Sequence, residues 1–293
     1  MSIFLIHIFL ISSALTLKIK FNTNRYNNIV IFGDSYSDTG NTYKLTNYVW
    51  PTVPPYYQGR FSNGPNWVDR LDIKQKFNYA YGSATTDNNF IKGHTLLNTI
   101  AVPGIRQQVQ MYLNHTDKNT ITHNRTLHII WASGNDFVFD HTVTPIQIIH
   151  SLMNSIKDLL AVGAKHFLIF NQTPVQTLPY VNRFHQSIFF TLLTILTNNI
   201  LFENLNTIQK SYPTSSIQIF DTYSLLTKII ANQSRMKFSN TIDRCWKQFN
   251  TTTVIELCQD PTKYVFIDNF HLTTNVHELI AEAIEPFLSL KYS

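Results

Sequence analysis

Glycine is scarce in this sequence, with 9 residues in 293, and cysteine is scarcer still, with 2. Charged side chains make up only 14% of the chain. Each shortage excludes something. Cys245 and Cys258 stand without further cysteines and without histidines at finger spacing, so a structural zinc site is ruled out. No HExxH or comparable His/Asp cluster points to a metal centre, and neither a metal nor a cofactor is expected. The net charge is a modest +5 with no Lys/Arg run, which leaves no footprint for nucleic acid. Beyond the N-terminus no apolar run reads as long enough to span a bilayer, so no stable membrane association is expected. What is present is 44% hydrophobic and 13% aromatic residues, enough to bury the core of one α/β domain.

Met1 to about Leu17 is an apolar run ending near Ser12, Ser13 and Ala14. It has the length of a signal-peptide h-region and not of a membrane span. The expectation is an exported protein: a signal over 1–17 and a single domain over 28–293. Sequons at Asn114, Asn124, Asn171, Asn232 and Asn250 agree with export. So does the even cysteine pair, which suits a disulfide closing a short loop in an oxidising compartment. Such a loop constrains the unfolded chain by about 3 kcal/mol in the entropy model.

Short apolar runs end in turn residues at Asn28–Phe32, Leu127–Ala132, His166–Phe170 and Ile217–Phe220. Between them lie helical patterns over Ile105–Leu113, Ile146–Val162, about Tyr180–Lys210 and Val276–Leu290. Strands alternating with helices predict a parallel sheet covered on both faces. Ligands bind beyond the carboxyl ends of such strands. Ser35, Asn135 and Asn171 each follow a predicted strand and belong at that edge, with His271 reaching it at the start of the last helix. Tyr43–Gly64, rich in Pro, Tyr and Asn, reads as a long surface loop.

The strongest motif is Gly33-Asp34-Ser35-Tyr36-Ser37-Asp38-Thr39-Gly40-Asn41. It is followed by Gly59-Arg60-Phe61-Ser62-Asn63-Gly64-Pro65-Asn66-Trp67, by Asn78–Asn88, by Ser133-Gly134-Asn135-Asp136 and by Asp268-Asn269-Phe270-His271. Gly33, Gly40, Gly59, Gly64, Gly82 and Gly134, most of the chain's 9 glycines, fall inside these blocks. In order and spacing the blocks resemble the SGNH/GDSL hydrolases, most closely the fungal carbohydrate esterase family sixteen together with bacterial lipase and haemolysin relatives. The resemblance implies a three-layer α/β/α sandwich, flavodoxin-like in strand order. No Gly-x-Ser-x-Gly elbow surrounds Ser35, which sets the α/β-hydrolase fold aside.

The chemistry of these residues agrees. A serine hydroxyl is a weak nucleophile until a base takes its proton. Histidine suits that task near neutrality, and a carboxylate fixes its tautomer. Ser35 is the expected nucleophile, His271 the base and Asp268 its partner. The expected oxyanion donors are the N–H of Ser35, an N–H of the Gly82–Ser83 turn and the Asn135 side chain. Family members usually carry a second glycine where this chain has Ser83, and often a proline where it has Leu272. Ser35 as a helix cap, or Asn135 as an Asx-turn residue, are the competing structural roles.

Asp38, Asn41 and Asp136 read as braces, and His277 as structural. Arg60, Asn63, Trp67 and Asn171 are the candidate substrate contacts, with a structural ion pair as the alternative for Arg60. Trp50, Tyr56, Tyr57, Phe61 and Trp67 form either a sugar-stacking platform or the buried side of their loop. The resemblance implies a monomeric esterase acting on acetyl groups of small or oligosaccharide esters. A lipase or phospholipase for longer acyl chains is the alternative, and a non-catalytic binder the third. The polar aromatic loop and the lack of a long apolar lid helix favour acetyl esters.

Overall fold

In a computed structural model of the chain the described residues are 26–95, 99–115, 123–132, 134–183, 187–248 and 254–289. The expected signal segment, Ser133 and the Asn250 sequon lie outside them. Five parallel strands form the central sheet: β1 (Asn28–Gly33), β2 (Gln75–Asn78), β3 (Thr126–Trp131), β4 (His166–Phe170) and β5 (Ser216–Phe220), in the order β2-β1-β3-β4-β5. That is the flavodoxin-like order, with the reversal of winding beside β1 and β3.

Alternation along the strands divides the core in two. Ile29, Ile31, Leu127, Ile129, Leu168 and Phe170 point to one face, and Val30, Phe32, Ile130, Phe167 and Ile169 to the other. The first face is covered by helices α5 (Thr222–Ala231) and α6 (Thr274–Ser289), through Leu226, Ile229, Val276, Ile280 and Ile284. The second is covered by α1 (Ile105–His115), α3 (Pro145–Ala161) and α4 (Ser187–Ser211), through Val109, Ile148, Leu152, Ile156, Leu201 and Leu205. The result is a three-layer α/β/α sandwich. Each fully buried Ile or Phe contributes about 1.5–3 kcal/mol of transfer free energy. A short helix, α2 (Gly134–Phe139), follows β3 directly.

Two features depart from the expectations above. Strand β2 carries little sequence signal, because Gln75–Phe77 are exposed on the edge and only four residues pair. Lys76 stabilises it by donating to the Val68, Asp69 and Leu71 carbonyls at 3.0–3.1 Å, at the end of the one-turn helix Trp67–Arg70. The second is α4. Its 25 residues make it long and apolar enough to cross a membrane by length and composition, contrary to the expectation that no such run follows the N-terminus. In the fold, Leu201, Leu205 and Ile208 of α4 are buried in the core, and Asn198 bonds the Gln172 backbone at both N–H and carbonyl. Its first half exposes Ile188, Phe189, Leu192, Ile195 and Leu196.

Candidate active site

Strand β1 ends at Gly33, and Ser35 sits in the turn beyond it. Buried Gln108 of α1 clamps this turn, accepting from the Gly33 N–H and donating to the Gly33 carbonyl, each at 2.9 Å. The Asp34 carboxylate accepts from the Tyr36 N–H at 3.0 Å. Burial pushes the pKa of Asp34 up to about 7. The Tyr36 ring stacks on Trp131 with centroids 5.0 Å apart, and its hydroxyl donates to the Phe270 carbonyl at 2.7 Å. The nucleophile turn is thereby tied to the segment that carries His271.

His271 Nε2 lies 2.9 Å from Ser35 Oγ, and His271 Nδ1 lies 2.7 Å from Asp268 Oδ2. An ionised carboxylate only accepts, so Nδ1 carries the proton and Nε2 is left to accept from the Ser35 hydroxyl. Asp268 Oδ1 accepts the backbone N–H groups of Phe270 at 2.7 Å and His271 at 2.8 Å. The spacing D-x-x-H thus makes a tight turn in which one carboxylate holds both backbone and ring. Buried Tyr56 adds a further donor, its hydroxyl bonding Asp268 Oδ2. Burial pushes the Asp268 pKa up, but the His271 charge and hydrogen bond, followed by those of Tyr56 and Phe270, outweigh it and hold the carboxyl at about 2. Sequence reasoning left the role of Tyr56 open between platform and core; it packs on Trp246 at 5.1 Å and reaches the acid of the triad.

The Gly82–Ser83 turn divides its labour. The Gly82 N–H is committed to Asp38 Oδ2 at 2.9 Å and Thr42 Oγ1 at 2.7 Å, and a side chain there would overlap the Phe61 ring. The Ser83 N–H donates to no acceptor among the described residues, and Ser83 lines the cavity beside Ser35. Ser83 has φ 68°, the left-handed region that a glycine enters without steric cost. Asn135 also lines the cavity; its Nδ2 donates one hydrogen to the Ala84 carbonyl at 2.9 Å, which fixes the amide and leaves the second hydrogen free. Asp136 braces the same turn by accepting from the Thr86 N–H and hydroxyl at 2.6–3.1 Å. Asp38 also accepts from the N–H groups of Gly40, Asn41 and Thr42, as a brace should.

Ser35, Ser83, Asn135 and His271 open on a cavity of about 320 Å³. Its walls are apolar: Phe137, Val138 and Phe139 of α2, Val175, Leu178 and Val181 beyond β4, and Phe190 and Leu193 of α4. Taking each methylene as roughly the 30 Å³ share of a water, such a space holds on the order of ten.

None of the four candidate substrate contacts lines this cavity. Arg60 is locked in a two-pronged pair with Asp69, at 2.7 and 3.1 Å, and donates to the Gln58 carbonyl. Asn63 accepts from the Thr274 N–H at 2.9 Å, at the start of α6. Trp67 is fully buried, 5.3 Å from the Phe170 ring. Asn171 bridges β4 to α5 through Asp221 and the Tyr223 N–H. Of the aromatic loop, Trp50 and Phe61 reach the cavity, while Tyr57 lies under Arg60. His277 is buried, and burial lowers its pKa to about 3, so it is a neutral core residue. The two cysteines form a disulfide, with Cα atoms 4.9 Å apart.

Comparisons with known proteins point to one family and fold. The model of a family described as GDSL-like Lipase/Acylhydrolase matches residues 29–284. The chain is 22% identical to the secreted effector protein SseJ of Salmonella typhimurium, over 90% of this chain and 64% of that protein. It is 24% identical to the phosphatidylcholine-sterol acyltransferase of Aeromonas hydrophila, over 80% and 72%, and 26% identical to the thermolabile hemolysin of Vibrio parahaemolyticus, over 88% and 63%. It therefore spans a little under two thirds of the Salmonella and Vibrio proteins. A solved member of the lipolytic protein G-D-S-L family from Veillonella parvula shares the fold, with TM-score 0.50 at 14% identity over 90% of this chain and 99% of that one. With a family model spanning the whole sandwich, the chain belongs to the GDSL-like lipases and acylhydrolases, enzymes that hydrolyse ester bonds.

Proposed function

We propose that the protein is an exported serine esterase that prefers medium and long acyl chains, and that it works through an acyl-enzyme on Ser35. The apolar cavity opening directly on Ser35 carries the proposal. Acetyl specificity was expected from a polar loop and a missing lid helix, but the loop's polar residues do not form the cavity wall, and an apolar helix, α4, does. The name of the Aeromonas relative, a phosphatidylcholine-sterol acyltransferase, agrees with a lipid ester. The disulfide and the name of the Salmonella relative, a secreted effector, support export.

In the first half-reaction His271 Nε2 takes the Ser35 proton as Oγ attacks the ester carbonyl. The Ser35 and Ser83 N–H groups and Asn135 Nδ2 receive the oxyanion. Asp268 stabilises the imidazolium, which then gives its proton to the departing alcohol. In the second half-reaction water attacks the acyl-serine, His271 takes a proton from it, and the acid leaves as Ser35 regains its hydrogen.

A p-nitrophenyl ester series from acetyl to dodecanoyl tests the acyl preference. The expected kcat/KM rises with length to about eight carbons, by up to about fourfold for each methylene, the equivalent of ~0.8 kcal/mol of burial. A maximum at acetyl would return the assignment to acetyl esters. Folded Ser35→Ala should lose all turnover; retained turnover would remove Ser35 from the mechanism.

A further inference from the structure

The first half of α4 exposes large apolar side chains on its outer face. Over residues 187–202 it carries no charged side chain; Glu203 is the first. Its inward face supplies Phe190, Leu193 and Thr194 to the cavity wall. Its outward face exposes Ile188 by 77%, Phe189 by 62% and Leu192 by 65%, with Leu196 also exposed. Large apolar side chains in that density are not left in water without a use. The second half returns to polar residues outward, with Asn199, Glu203 and Asn206 exposed, while Leu201, Leu205 and Ile208 anchor it in the core. Exposed apolar residues are densest in the turns that also wall the cavity, with Phe202 alone continuing them into the second half. Val138 and Tyr180, which line the cavity, are exposed as well. Apolar residues are thus exposed both on the outside of α4 and on the rim of the cavity that opens on Ser35.

We infer that this face docks on a phospholipid surface, where the helix lies in the interface plane and delivers an acyl chain over its own edge into the cavity. The inference rests on the long-acyl assignment proposed above. Proximity to the cavity selects the occupant: a second protein copy would cover the exposed residues but give the cavity no substrate. An interfacial helix binds through one apolar face with its other side held elsewhere, which is the division seen along α4. A helix crossing the bilayer would have to leave the core in which Leu201, Leu205 and Ile208 are buried.

The test uses the purified protein and a triple variant, Ile188→Gln/Leu192→Gln/Leu196→Gln. None of the three lines the cavity, and glutamine keeps the helix. Hydrolysis of monomeric p-nitrophenyl butyrate reports folding and should stay within twofold; if the triple variant falls below that, Leu192→Gln alone is used. Flotation with phosphatidylcholine vesicles should recover the wild type and Ser35→Ala, and lose the variant by at least tenfold. Equal flotation of wild type and variant would overturn the docking face, as would a wild type that does not float. A wild-type dimer that becomes monomeric in the variant, with vesicle binding unchanged, would assign the face to self-association instead. Failure of the acyl-chain assignment has a separate signature: vesicles bind, but dispersed long-chain esters turn over more slowly than acetyl.

Discussion

Asp268 is held by more donors than a triad needs. The Tyr56 hydroxyl binds the same oxygen that His271 binds. Removing it leaves that oxygen with one partner and lets burial raise the carboxyl's pKa. Hydrogen bonds to charged groups contribute about 1.5–3 kcal/mol. Tyr56→Phe should therefore lower kcat/KM by about tenfold or more and move the acid limb of its pH profile; an unchanged profile would reduce Tyr56 to packing. Ser83 offers a change in the other direction. At φ 68° a serine carries a steric cost that glycine does not. Ser83→Gly should preserve turnover, because the donor is a backbone N–H, and raise stability by up to about 1 kcal/mol, read as a higher Tm. A large loss of kcat would show that the Ser83 side chain is needed. Ser35, Asp268 and His271 could be read from residue type and block order, and the fold brings the three side chains together. Arg60, Asn63, Trp67 and Asn171 misled because the same blocks also hold the residues that build the scaffold. Nothing in a motif distinguishes an asparagine that meets substrate from one that receives the first N–H of a helix, as Asn63 does.

Among the elements, the disulfide hairpin has the most direct line to the chemistry. Trp246–Gln248 pairs antiparallel with Val254–Leu257, and Cys245–Cys258 closes its base. The Cys245 and Trp246 N–H groups donate to the Phe266 and Ile267 carbonyls at 3.0 and 2.7 Å, immediately before Asp268. Trp246 also packs on Tyr56. Reduction should therefore loosen the 264–271 segment and lower activity at a temperature where the far-ultraviolet circular dichroism of the sheet is unchanged. Loss of activity only together with the sheet would disprove that coupling. The long buried strands and helices α1, α3, α4 and α6 were legible from apolar runs and their period, whereas α5, which also covers the sheet, was not read. Strand β2 was not, since an edge strand of four mostly exposed residues has no alternation to read. The apolar excess of α4 was visible as a long helical pattern, but which side faced outward depended on packing that no periodicity encodes when both sides are apolar.

Across the whole molecule the buried titratable groups pull the pH dependence of stability in opposite directions. Burial pushes the Asp34 pKa up to about 7 and the Asp136 pKa up to about 6. In the unfolded chain both lose their protons near pH 4. Between these values the folded state holds more protons than the unfolded one, so stability is full below about pH 4 and falls as pH rises through 6 to 7. Asp268 works with the opposite sign: its contribution is present above about pH 4 and is lost as pH falls toward 2. Buried His128 and His277, with pKa lowered to about 3, stay neutral in the fold and cost stability as pH falls below about 6.5. Asp136→Asn removes one of the groups that favour acid, so the Tm of the variant relative to the wild type should rise between pH 5 and pH 8. A difference in Tm between variant and wild type that stays constant from pH 5 to pH 8 would contradict this. One feature of the site also bears on synthesis. Ser35 and His271 touch across 236 residues of sequence. At about 5–20 residues per second, the serine leaves the ribosome roughly 10–50 s before its base. Throughout that interval the growing polypeptide carries a nucleophile with nothing to deprotonate it. On the proposed mechanism the serine therefore stays unactivated until the segment that carries His271 has emerged and folded against it.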